Sequence, residues 1–188
     1  MLNTFVVHVE NKPGVLTRVA SLFRRRAFNI DSLTVGRTEK PEVSRMTIVV
    51  DADRDGALRV EANLYKLVNV LLVENVTGKP SICRDLAIIK LSASNIERSQ
   101  ILEVVNVFRA RVVDFDTDSL TIEMTGSEEK IDRLLKVLRQ YGILEMVRTG
   151  VVAMRRGTKV QQQEAAEAAA PSNGTGNIIA DDSVSYSV

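Results

Sequence analysis

Thr4-Phe5-Val6-Val7-His8-Val9-Glu10-Asn11-Lys12-Pro13-Gly14-Val15-Leu16-Thr17-Arg18-Val19 changes its period in the middle. Before Asn11, the residues Phe5, Val7 and Val9 alternate with Thr4, Val6 and His8, the two-residue period of a strand with one better-buried face. After Gly14, the residues Val15, Leu16, Val19, Ala20, Leu22 and Phe23 form an apolar stripe with helical spacing, and Thr17, Arg18, Arg24 and Arg25 lie mostly off it. A strand from Leu2 to Glu10 therefore turns through Asn11-Lys12-Pro13-Gly14 into a helix running to about Ala27.

Working outward, Ile30 to Thr38 and Val43 to Asp51 read as a hairpin about the polar turn Glu39-Lys40-Pro41-Glu42. Ala57, Val60, Leu64, Leu67 and Val68 recur at helical spacing, and Val70-Leu71-Leu72-Val73 reads as a last strand, so the order is βαββαβ. Gly78-Lys79-Pro80-Ser81 interrupts the pattern, and then the order repeats. Leu86 to Ala93 is strand-like. Ser94-Asn95-Ile96-Glu97 is a capping-box signature opening a helix with Ile101, Val104, Val105 and Phe108 on one face. Arg111 to Phe115 and Leu120 to Thr125 form a second hairpin about Asp116-Thr117-Asp118-Ser119. Ser127-Glu128-Glu129 suits a helix start, and that helix shows Ile131, Leu134, Leu135 and Leu138. Ile143 to Arg148 closes the repeat, and Val151 to Met154 adds an edge strand.

The expected fold is α+β: two tandem ferredoxin-like βαββαβ domains, residues 1–78 and 84–160, joined by a linker at 79–83. Each would place its helices on one face of a four-stranded antiparallel sheet and leave the other face and an edge for a partner. Residues 161–188, with Gln161-Gln162-Gln163 and a Ser/Asn/Gly-rich stretch after Pro171, have too little apolar content to fold alone and are expected to be a disordered tail.

The 188 residues are 45% hydrophobic and 26% charged, enough to bury a core, and 25 Lys+Arg against 24 Asp+Glu leave a net charge of +1. No global field recruits nucleic acid or an anionic membrane. The single cysteine, Cys83, forms no internal disulfide and builds no multi-thiolate metal site. The apolar runs fall well short of the ~20 residues of a membrane span, and the N-terminus has no basic leader region, so a cytoplasmic protein is expected.

Familiar catalytic chemistry is missing. His8 is the sole histidine and sits mid-strand, and no Walker loop, Rossmann fingerprint, HExxH or CxxC occurs. Asp51, Asp53, Asp55 and Gly56 imitate the start of a calcium loop. The twelfth position is Ala62, though, with Glu61 one residue early, and a strand precedes where a helix is needed; a solvated loop leading into a helix is the better account. Arg24-Arg25-Arg26 suits a helix C-terminus, which favours cations. Aromatic content of 4% is too low for a base-stacking sheet.

What remains is Asn11-Lys12-Pro13-Gly14-Val15-Leu16. It opens a helix whose first N–H groups have no intrahelical partner, and such an end attracts an anion. Gly14 admits close approach to the backbone, Pro13 stiffens the turn, and Asn11 can both donate and accept. On these grounds alone the loop is either a carboxylate cradle or an ordinary strand-to-helix turn. Asn29, just past the helix and before Ile30, is either a ligand contact or an αL terminator.

The runs Glu10-Asn11-Lys12-Pro13-Gly14-Val15-Leu16-Thr17-Arg18-Val19, Phe28-Asn29-Ile30-Asp31-Ser32-Leu33-Thr34-Val35 and Ser44-Arg45-Met46-Thr47-Ile48 resemble the small regulatory subunit of acetohydroxyacid synthase. Arg84-Asp85-Leu86 and Arg148-Thr149-Gly150-Val151-Val152-Ala153-Met154-Arg155-Arg156-Gly157 agree, and the likeness spans about Met1 to Val160. The resemblance implies an N-terminal ACT domain, which binds amino acids, and a C-terminal ACT-like domain. It also implies a homodimer through the ACT domain, and feedback valine held between Asn11, Pro13, Gly14, Val15 and Leu16 of one chain and Asn29 and Ile30 of the other. Methylene discrimination of only ~1–3 kcal/mol leaves leucine and isoleucine open as ligands. The implied role is non-catalytic: activation and valine feedback inhibition of a catalytic large subunit in branched-chain amino-acid biosynthesis. No metal or cofactor is expected on this chain, and thiamine diphosphate, Mg and FAD are expected on the partner. The alternative role is a stand-alone ACT-domain amino-acid-responsive regulator.

Overall fold

The computed structural model describes residues 1–157; residues 158–160 and the tail expected at 161–188 lie outside the described residues. The first repeat runs β1 (Leu2–Glu10), α1 (Val15–Arg25), β2 (Ile30–Arg37), β3 (Val43–Asp51), α2 (Arg54–Leu64), β4 (Val70–Asn75). The second runs β5 (Ser81–Ser92), α3 (Asn95–Phe108), β6 (Arg111–Phe115), β7 (Ser119–Gly126), α4 (Glu128–Leu138), β8 (Ile143–Arg148), with a short β9 (Val152–Arg155) after it. Every pairing is antiparallel, in the orders β2-β3-β1-β4 and β6-β7-β5-β8. These are two tandem ferredoxin-like units, as the periodicity predicts.

Each unit has its own core. Phe5, Val7, Val9, Met46, Ile48 and Val50 from the first sheet meet Val15, Val19, Leu22 and Phe23 of α1 and Val60 and Leu64 of α2. Ile89, Leu91, Leu120, Ile122 and Met124 meet Ile101 and Val105 of α3 and Ile131, Leu134 and Leu138 of α4. Burying one such side chain is worth ~1.5–3 kcal/mol, so these stripes hold the helices to the sheets.

The helix ends follow local chemistry. Ser94 accepts from the Glu97 amide and the Glu97 carboxylate reaches back to Ser94, the reciprocal cap read from the sequence. Asp53 caps α2 by accepting from Gly56 N–H at 2.7 Å, which gives the acidic loop its role as a helix start. Ser127 stands at the N-cap of α4 but makes no side-chain cap bond; Glu128 and Glu129 supply the favourable charge.

Two expectations need correction. The linker at 79–83 ends early, because β5 is twelve residues long and begins at Ser81. Its first residues, Ser81 to Arg84, pair with β9 rather than with the second sheet. That ribbon covers part of the first sheet's second face, so this face is not free and both faces of β1 are buried there. Val6 is fully buried in a small cluster with Val76 and Ala153, against which Cys83 packs. Val151 N–H donates to Ser32 Oγ (3.1 Å), Thr34 Oγ1 donates to the Thr149 carbonyl (3.2 Å), and Arg45 Nη2 donates to the Ala153 carbonyl (2.5 Å). Gly150 sits between these bonds at φ +83°, where a Cβ would collide with Ser32 Oγ.

Candidate functional site

The loop between β1 and α1 is built by the strand that ends before it. Because β1 pairs antiparallel with β3, the residue leaving β1 lies beside the turn that enters β3. Asn11 N–H donates to the Glu42 carbonyl (2.7 Å) and Asn11 Nδ2 donates to the Pro41 carbonyl (2.9 Å). The amide is thereby oriented, and Oδ1 remains to accept. Pro41 and Glu42 were read only as turn residues; the pairing of β1 with β3 is the signal that ties them to the loop.

Gly14 takes φ +82° as the N-cap of α1, a conformation that costs a non-glycine residue ~1–2 kcal/mol. A Cβ there would meet nothing within 4 Å, so the approach is open. Among the described residues the amides of Gly14, Leu16 and Thr17 have no acceptor, whereas Val15 N–H turns back to the Lys12 carbonyl at 3.4 Å. The anion-seeking amides are thus those of Gly14, Leu16 and Thr17. Val15 faces the core, Leu16 is 44% exposed, and no acidic residue stands in the first turn.

A polar cluster braces the loop from behind. Asn69 Nδ2 donates to Glu10 (2.5 Å), Arg18 donates to Asn69 Oδ1 (2.6 Å), and Lys12 Nζ meets Glu10 Oε1 (3.1 Å). Hydrogen bonds from Asn69, and then from Lys12, hold the Glu10 carboxyl below the usual carboxylate range.

Asn29 is not the helix terminator. Ala27 takes the αL position at φ +55°, Phe28 N–H reaches the Phe23 carbonyl (3.1 Å), and Ala27 N–H reaches the Arg24 carbonyl (3.2 Å). The Phe23 and Phe28 rings meet edge to face at 6.5 Å, completing a Schellman stop whose αL residue lies two positions before Asn29. Asn29 is exposed and free of that duty, and Ile30 packs half-buried against the core.

Within one chain the two halves of the predicted site do not meet. The Gly14 amides open α1 and Asn29 follows its end, so a helix of eleven residues, roughly 16 Å long, stands between them. Among the described residues no group of three His, Cys, Asp or Glu side chains is disposed to hold a metal.

A βαββαβ sheet with an amide-presenting loop before its first helix, followed by a second unit of the same topology, defines an ACT-type two-domain protein. Residues 5–72 match the family model described as "AHAS small subunit-like ACT domain", and residues 84–157 match "Small subunit of acetolactate synthase". The chain is 51% identical over 159 residues to an Archaeoglobus fulgidus protein described as "Probable acetolactate synthase small subunit", covering 85% of this chain and 99% of that one. It is 50% identical over 157 residues to the acetolactate synthase small subunit of Mycolicibacterium smegmatis, covering 84% and 92%. The crystal structure of the Thermotoga maritima acetolactate synthase small subunit superposes with a TM-score of 0.79 at 36% identity, covering 84% and 99%. The chain belongs to the acetolactate synthase small-subunit family.

Proposed function

We propose that this chain is the regulatory subunit of an acetolactate synthase: it docks on the catalytic subunit, raises its activity and makes it sensitive to valine. The carboligation, with its thiamine diphosphate, Mg and FAD, belongs to that partner, and the setting is the cytoplasm. The observation that carries the ligand reading is the set of unpartnered amides at Gly14, Leu16 and Thr17 beside an oriented Asn11. They suit a carboxylate, and Leu16 suits a short apolar side chain.

The second half of the pocket is drawn from a second copy. The outer edge of β2 carries no strand among the described residues. Antiparallel pairing of β2 with its copy sets the N-terminal end of one strand beside the C-terminal end of the other. The C-terminal end leads into the turn whose Pro41 holds Asn11, so Asn29 and Ile30 of the copy arrive beside the loop. Valine then binds only the paired arrangement, and differential affinity of this kind supplies the ~1–3 kcal/mol that allosteric coupling requires.

The test is reconstitution of the full chain with an acetolactate synthase catalytic subunit from the same source, assayed with and without valine. A rise in activity on mixing and its loss with valine are expected. No activation together with no valine inhibition rejects the proposal.

A further inference from the structure

A cavity lies away from the Asn11 loop. It is a cleft of about 380 Å³, open on one side, between β2 and β3 of the first sheet and the ribbon of β5 and β9. Such a volume falls in the range of small-ligand sites. Its lining is mostly apolar but includes three arginines, Arg37, Arg45 and Arg84, of which Arg84 also donates to the Cys83 carbonyl at 2.7 Å, and none of its lining residues is acidic. The ribbon wall, which also carries Arg84, is otherwise aliphatic: Ile82, Val152 and Met154 are 38%, 47% and 58% exposed there.

Arg45 is the built part of this cleft. Its Nη2 is fixed on the Ala153 carbonyl, while its buried Nε has no hydrogen-bond partner. Buried donors are nearly always satisfied, so an orphaned N–H beside a positively lined space asks for an acceptor. The nearby carboxylates do not answer it. Glu74 is engaged by Arg155 at 2.6 Å, and neither it nor Glu39 lines the cleft. His8, opposite Arg45 in the β1–β3 register, also has a buried Nδ1 without a partner.

We propose that this cleft is a second ligand site, taking a small aliphatic carboxylate whose anionic end meets Arg45 and Arg84 and whose hydrocarbon end lies on Ile82, Val152 and Met154. The site bridges the two units, so a ligand there ties the β5–β9 ribbon to the first sheet. It does not depend on the valine reading.

The test is calorimetry on the full chain with isovalerate, acetate and inorganic phosphate as probes. Saturable binding of isovalerate is expected, with acetate and phosphate each weaker, and with Arg84→Gln and Met154→Glu each lowering affinity about tenfold. Gly14→Asp, which closes the α1 cradle to carboxylates, should leave one saturable isovalerate site. With the α1 cradle closed by Gly14→Asp, Arg45→Gln should abolish the remaining binding; if that variant does not fold, the two exposed-residue variants decide. Loss in Gly14→Asp but not in Arg84→Gln would place the anion in the α1 loop and overturn the proposal. Equal affinity for phosphate and isovalerate, or no saturable binding, would overturn it as well.

Discussion

Asn11 donates its side-chain amide to the Pro41 carbonyl across 2.9 Å and thirty residues of chain, which ties the loop that opens α1 to the turn that joins β2 to β3. Asn11→Asp replaces the donor with a second acceptor against the Pro41 carbonyl and adds a negative charge beside the amides proposed to hold a carboxylate. Loss of one exposed hydrogen bond lowers stability by ~1 kcal/mol, whereas valine binding by calorimetry should fall below detection. Wild-type affinity in this variant would show that Asn11 does not face the ligand.

Gly14 and Gly36 form a matched pair for separating backbone strain from space. Neither would bring a Cβ within 4 Å of another atom, but only Gly14 has a positive φ. Gly14→Ala should cost about 1–2 kcal/mol in urea unfolding. Gly36→Ala should be neutral or stabilise by up to ~1 kcal/mol through the unfolded chain. Equal effects would mean that the αL geometry at Gly14 is not maintained in solution.

Both repeats were legible in the sequence because their periods are clean: Phe5, Val7 and Val9 in one strand, Ile131, Leu134 and Leu138 in one helix. The Asn11 loop was legible because Pro and Gly punctuate it. The cover over the first sheet was not. Val6 reads as the solvent side of an alternating strand, and its burial depends on Ala153, almost 150 residues away. The arginine cleft was hidden for the same reason. Arg37, Arg45 and Arg84 lie on three different strands, and nothing in their spacing reveals that β5 extends past its own sheet to meet them. Asn29 was ambiguous until Ala27 proved to end the helix, since a non-glycine αL stop leaves no clear sequence mark.

Asp85, only 2% exposed, is held by Arg148 Nε at 2.7 Å, and Thr149 Oγ1 donates to its other oxygen at 3.2 Å. Burial works against the charge of Arg148, but bonds and charge from Asp85, then Asp132, outweigh it and leave its pKa above the ordinary arginine value. Removing one partner of such a pair costs ~3–5 kcal/mol, and Arg148 keeps Asp132 at 2.9 Å, so Asp85→Ala should fall at the lower end. Chemical denaturation measures the loss, and amide exchange should locate it in β5 and β8. A change under ~1 kcal/mol would mean that Asp132 alone satisfies Arg148.

His8 gives the fold a pH dependence whose sign is fixed by its surroundings. Burial, and then the charge of Arg45, lower its pKa below the ordinary 6.5, with Lys40 adding to them and Glu39 and Glu74 opposing. The unfolded chain therefore takes up a proton that the folded chain resists. Stability is highest above 6.5 and falls as the pH drops through that value toward the folded-state pKa. Thermal midpoints measured from pH 7.5 to about 5.5 should decline, and His8→Gln should flatten the decline. An equal slope in the variant would assign the effect to other groups.

The outer edge of β2 is the place where pairing of two copies and ligand binding can be separated by experiment. Val35 is 43% exposed on that edge strand, and Leu71 is 51% exposed on β4, at the other edge of the same sheet. A lysine on an edge strand resists pairing with another strand because its ammonium would have to be desolvated. Val35→Lys should therefore be a folded monomer by analytical ultracentrifugation and should lose valine binding, whereas Leu71→Lys should keep both the wild-type mass and the wild-type affinity. If Val35→Lys is monomeric yet binds valine as tightly as wild type, the pocket is complete within one chain and Asn29 of a second copy has no part in it. If Val35→Lys remains a dimer, the copies meet elsewhere, and the Gly14 amides and Asn29, at opposite ends of the roughly 16 Å of α1, must be brought together by a different arrangement.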